Sequence, residues 1–139
     1  MKAIISWLGN ALMQGESGSG HSVIVDGPES IGGQNQGMRP MELMLMSVGA
    51  CSTVDVISIL KKARQDVKDC IVEVDGERVD SVPALFKRIH LNFKVRGNSL
   101  DENKVKRAVE LSAEKYCSAS IMLINAGVEM SHSFEIQDV

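Results

Sequence analysis

Two cysteines in this chain have the chemistry and the surroundings to react. Cys51 lies inside an apolar run from Pro40 to Leu60, and Cys117 stands far downstream beside a second predicted helix. Thiols distant in sequence become a reactive pair when a fold joins them. A thiolate attacks a peroxide, and the sulfenic acid it forms condenses with a neighbouring thiol to a disulfide. A free cysteine serves equally well as a small core hydrophobe, so residue types alone leave both readings open.

Other constellations are weaker. His21, His90 and His132 have no second ligand at metal spacing, and Cys70 has no CxxC partner, so no zinc site is expected. The glycine-rich pieces between Gly15 and Gly20 and between Gly27 and Gly37 lack the Gly-Lys-Ser/Thr of a P-loop, and no dinucleotide fingerprint follows a strand. Lysines and arginines are scattered, and 18 acidic against 15 basic residues give a net charge of -3. Nucleic acid is not an expected partner. Three cysteines, an odd number, argue against a disulfide framework and for reduced thiols in the cytoplasm. Glu42 and Asp55 interrupt the longest apolar stretch, so no membrane segment is expected either.

The 139 residues suit a single domain. Residues 2–8 and 11–15 read as strands about the turn Gly9-Asn10, and His21–Asp26 as a third. Pro40 can open a helix, expected over about 40–63. Its apolar residues cover nearly every side, which predicts burial on all sides and, in so small a domain, a second subunit to complete the cover. Cys70–Asp75 reads as a strand. Ile89, Leu91, Phe93 and Val95 alternate with polar residues as one face of another. Ser99-Leu-Asp-Glu102 has the form of a capping box opening a helix with Val105, Ala108, Val109, Leu111 and Ser112 inward, ending near Lys115-Tyr116. A short helix over Cys117–Ile124 and a last strand with Val128, Met130, His132, Phe134 and Ile136 inward complete an α+β order.

Arg39-Pro-Met-Glu-Leu, then Gly49-Ala-Cys-Ser, and Glu114-Lys-Tyr-Cys-Ser-Ala-Ser120 resemble the OsmC/Ohr family of thiol-dependent peroxidases over most of the chain, and its OsmC-like branch above the organic hydroperoxide reductases. The resemblance implies an OsmC-like fold, in which two long central helices are wrapped by curved antiparallel sheets in an intertwined homodimer. It also implies Cys51 as the peroxidatic thiol and Cys117 as the resolving one. The substrate would be a small hydroperoxide and the reductant an external dithiol, with no cofactor and no membrane.

A peroxidatic thiol in an apolar site needs a cation or strong donors to ionise. In the hydroperoxide reductases that cation is an arginine of the N-terminal strands, held by a glutamate shortly after the proline. Here Lys2 is the only basic residue before Arg39, and Met41 follows Pro40, with Glu42 about 100° further round the helix. Arg39 and Glu42 are therefore the candidates to serve the thiol. Asp55, one turn after Cys51, is expected to pair with a lysine or arginine of its own or a partner chain. Ser52 and Thr53 could donate near the thiol, but in a helix such side chains more often bond back to a carbonyl, and that is the expectation here. His132 is expected to be a hydrogen-bonded core residue. Besides peroxide reduction, a non-enzymatic dimer that binds a small molecule or senses redox state would fit the same residues.

Overall fold

The computed structural model describes residues 1–139, which divide into two compact units, 1–44 and 45–139. In the first, β1 (Ala3–Gly9), β2 (Leu12–Ser17) and β3 (Ser22–Asp26) form an antiparallel meander. Gly9 and Asn10 both have positive φ, 107° and 48°, the conformation that a tight hairpin connection requires. A 3₁₀ turn, Glu29–Ile31, follows.

The loop after β3 is organised by one carboxylate. Asp26 is buried, and its oxygens accept from the backbone N–H groups of Gly27, Gln34 and Gln36 at 2.9, 2.9 and 3.1 Å. The N–H groups of Gln34 and Gln36 do most to hold this carboxyl below its ordinary range; Gly27 and the Arg39 charge add to them, against the opposing effect of burial.

Helix α1 (Pro40–Lys62) starts at the end of the first unit and runs into the second, close to the predicted bounds. It departs from expectation in one way. By length and composition it could cross a bilayer despite Glu42 and Asp55, so one segment does qualify. The single chain does not enclose it: Val48, Val56 and Leu60 are fully buried, whereas Val54 is 70% exposed and Met46 55%. The bare stripe runs through Ala50, Thr53, Val54, Ile57, Ser58 and Lys61, which line an open apolar groove.

In the second unit β4 (Asp66–Arg78) and β5 (Phe86–Asn98) are long antiparallel partners, each extending well beyond its predicted length. Strand β6 (Glu129–Asp138) pairs with β5 in parallel, Phe93 opposite Phe134, because the chain crosses over through helices between them. Ile89, Leu91, Phe93 and Val95 of β5 are all buried, as their alternation predicts. Each such side chain contributes roughly 1.5–3 kcal/mol by leaving water. Helix α1 lies close on β4 at Gly49, where any Cβ would come within 2.8 Å of a Val74 methyl group.

The crossover begins with α2 (Glu102–Leu111). Its N-cap is Asp101, which accepts from the Lys104 N–H at 3.2 Å, and not Ser99, whose φ of 49° places it in the preceding turn. Val105, Ala108, Val109 and Ser112 are buried as expected, while Leu111 is half-buried. A π-helical turn, Ser112–Tyr116, replaces the last turn of the predicted helix, and α3 (Ser118–Asn125) comes next with Cys117 at its N-cap.

The Asp26 cluster makes stability depend on acid. A carboxyl with a lowered folded-state pKa stabilises the fold above its unfolded value and loses that contribution as pH falls through the folded one. Asp26→Asn is expected to lower the thermal midpoint at pH 7 and to flatten its decline below about pH 4, as followed by circular dichroism across a pH series.

Candidate functional site

Cys51 and Cys117 meet. Together with a carboxylate oxygen of Asp55 their sulfurs form a cluster whose ligand atoms all lie within 4.8 Å of one another. Cys51 and Asp55 sit one turn apart on α1, so the helix places them on the same face. Cys117 arrives through the π turn, whose i to i+5 bond from the Cys117 N–H to the Ser112 carbonyl, 2.8 Å, ends the helix and swings the backbone to an extended conformation. Such turns add one residue to a helical circuit and re-aim the chain that leaves them. No disulfide joins the thiols: all three cysteines are free, with Cys51 and Cys70 half-buried and Cys117 buried.

The two sulfurs have different surroundings. Cys117 accepts from the Ser52 hydroxyl at 3.1 Å, the Ser120 hydroxyl at 3.2 Å and the Ser120 N–H at 3.4 Å, at the N-terminus of α3. Burial works to raise its pKa. The Ser120 and Ser52 hydroxyls, the Ser120 N–H and the Cys51 thiol outweigh it, so Cys117 is held below the ordinary thiol value. Cys51 moves the other way: burial raises it, the Ala119 N–H opposes, and both Cys117 and the Asp55 charge push it further up. Of the two thiols, Cys117 is therefore the more easily ionised.

Several sequence expectations change here. Thr53 bonds back to the Gly49 carbonyl at 2.7 Å as expected, but Ser52 gives its hydroxyl to Cys117. Ser112 anchors the joint by donating to the Ser52 carbonyl at 3.3 Å. Asp55 makes no ion pair within the chain, and its Oδ2 is shut from solvent with no donor facing it. His132 is half-buried, with Nε2 unpartnered and its pKa lowered, mainly by burial; it is not the hydrogen-bonded core residue expected. Cys70 is pushed up to about 11 by burial and the nearby Asp69, which leaves it inert.

Arg39 and Glu42 do meet, but through the main chain. The Glu42 carboxylate accepts from the Arg39 N–H at 2.8 Å and so closes the first turn of α1. The Arg39 guanidinium donates to the Gly27 carbonyl at 2.6 Å and the Asp26 carbonyl at 3.5 Å, fastening the loop that precedes the helix. Arg39 and Glu42, the candidates from sequence to serve the thiol, are thus engaged in fastening the start of the helix.

Ser112 and Ser120 are the site residues that sequence reasoning missed. Ser120 carried a signal: it lies three residues beyond Cys117, where a helix returns its N–H and side chain to the N-cap. A cleft of about 310 Å³ lies beside Asp55, lined also by Ser58, Ile59, Lys62, Leu111 and Tyr116.

The fold is α+β, with one thiol buried under serine donors and a half-buried thiol beside it. A family model described as "OsmC-like protein" matches residues 33–133. Protein YhfA of Escherichia coli K12 is 46% identical over 136 residues, 98% of each chain. A crystal structure of a hypothetical protein from Aquifex aeolicus VF5 is 30% identical, with a TM-score of 0.86 over 99% of this chain and 96% of that one. The organic hydroperoxide resistance protein OhrB of Bacillus subtilis, 20% identical, shares the fold at a TM-score of 0.64 over 96% of both. The chain belongs to the OsmC-like family.

The serine donors and Asp55 act on opposite sides of the same proton. Ser120→Ala is expected to move the first thiol deprotonation to higher pH, and Asp55→Asn to move the Cys51 deprotonation to lower pH. Thiolate ultraviolet absorbance, measured in a Cys70→Ser background, follows both.

Proposed function

We propose that this protein reduces organic hydroperoxides with Cys51 as the attacking thiol and Cys117 as its base and resolving partner. The observation that carries this reading is the contrast between the two sulfurs: the one richest in donors is buried, and the one beside it is half-open. With a single negative charge on the pair, Cys117 holds it and Cys51 keeps the proton. When a hydroperoxide reaches Cys51, the proton passes from Cys51 to Cys117. Cys51 then attacks the distal oxygen, the O–O bond breaks, and the alkoxide leaves with a proton from water. Cys117 next attacks the Cys51 sulfenic acid, closing a disulfide and releasing water. An external dithiol restores the pair by exchange. The serine donors stabilise the thiolate of Cys117, the base in this scheme.

In this reading the chain acts as one domain of a homodimer in the reducing cytoplasm. A second copy covers the bare stripe of α1 around Val54, and Arg39 with Glu42 are positioning residues for the start of the helix that carries Cys51. A binding role on the same scaffold is favoured by one observation: Asp55 stands where it hinders ionisation of Cys51.

The chemistry is tested by giving reduced protein one equivalent of cumene hydroperoxide, quenching within seconds and mapping the thiols by mass spectrometry. A Cys51–Cys117 disulfide is expected in the native chain. Cys117→Ser should trap a Cys51 sulfenic acid, formed roughly 10²-fold more slowly for want of its base, and thiols untouched after minutes would favour the binding role. The assembly is tested by sedimentation: a dimer is expected at micromolar concentration, and Val54→Glu should shift it to monomer.

A further inference from the structure

We propose that Cys51, Asp55 and Cys117 form a three-ligand site for a thiophilic divalent cation, with zinc its physiological representative. The proposal does not rest on the peroxide reading and holds whether or not a hydroperoxide is turned over.

Three observations meet at one point. The two sulfurs and one carboxylate oxygen lie within 4.8 Å of one another, from two elements far apart in sequence. Zinc–sulfur bonds of about 2.3 Å and zinc–oxygen bonds of about 2.0–2.2 Å space tetrahedral ligands roughly 3.5–3.8 Å apart, so small side-chain movements would close the set. Asp55 Oδ2 is cut off from solvent and has no hydrogen-bond donor, a cost that a cation removes. The donor types then decide which cation. Two sulfurs and one oxygen suit zinc and exclude magnesium or calcium, which take oxygen alone.

Charge supports the same assignment. Fully ionised, the three ligands carry three negative charges in a half-buried pocket with no lysine or arginine bonded to Asp55. A divalent ion leaves only one. The Ser52 and Ser120 hydroxyls, already directed at the Cys117 sulfur, would orient it as outer-shell donors do. The cleft beside Asp55 gives an approach to the carboxylate side of the set. Sequence spacing concealed this set, because it holds no histidine and no CxxC pair.

A bound cation and the disulfide compete for the same sulfurs. Zinc would keep Cys51 and Cys117 reduced and block attack on peroxide, and oxidation would release the ion.

The test titrates reduced protein in a Cys70→Ser background with cobalt(II), then displaces the cobalt with zinc. A thiolate-to-cobalt charge-transfer band with tetrahedral visible bands at one ion per chain is expected. Cys117→Ser should abolish the charge-transfer intensity of one sulfur. Asp55→Asn should weaken affinity by at least the roughly tenfold that loss of even an outer-shell partner causes. In the native chain, zinc should slow alkylation of Cys51 by iodoacetamide at least about tenfold, on the same reasoning, and leave Cys70 unchanged. Absence of the band, affinity indifferent to Asp55→Asn, or a Cys51 alkylation rate that zinc does not alter would each overturn the proposal. The zinc protection assay needs no variant, so misfolding of a substituted chain cannot decide the matter.

Discussion

The hydrogen bonds that converge on the Cys117 sulfur are what the rest of the site depends on. They come from a helix on one side, through Ser52, and from the next helix on the other, through Ser120. Sulfur is a weak acceptor when neutral and a strong one when charged. Three donors on a buried sulfur therefore favour its charged form, and Cys117 is the more easily ionised of the two thiols. The π turn makes this possible by ending the preceding helix one residue late and placing Cys117 where an N-cap belongs.

The fold was legible wherever burial wrote a period into the sequence. The β5 alternation, the Pro40 start of α1 and the order of strands and helices could all be read, since each depends on which faces meet water. Capping was less legible. Ser99 and Asp101 both stand ahead of α2, and the sequence pattern favours the serine, but a backbone turn at Ser99 hands the cap to Asp101. The π turn had no signature at all, because an i to i+5 bond differs from an ordinary one only through what the chain does afterwards.

The site was legible in its two cysteines and illegible in their roles. Family likeness assigns Cys51 and Cys117 by position, but charge is placed by donors, and these come from serines that sequence reading sends to the helix backbone. Thr53 does bond there and Ser52 does not, although the two are adjacent on one helix. Only the arrival of Cys117 from 65 residues away separates them. Asp55 is similar: its spacing from Cys51 was readable, while the lack of a partner is a property of the assembled surroundings.

The two serines also stand within 3.5 Å of each other, so each has a second acceptor besides the sulfur. Were Cys117 to turn toward Cys51, as the proposed cycle requires, one of these hydroxyls could donate to the other in place of the sulfur. The same pair of side chains would then have a partner in both redox states.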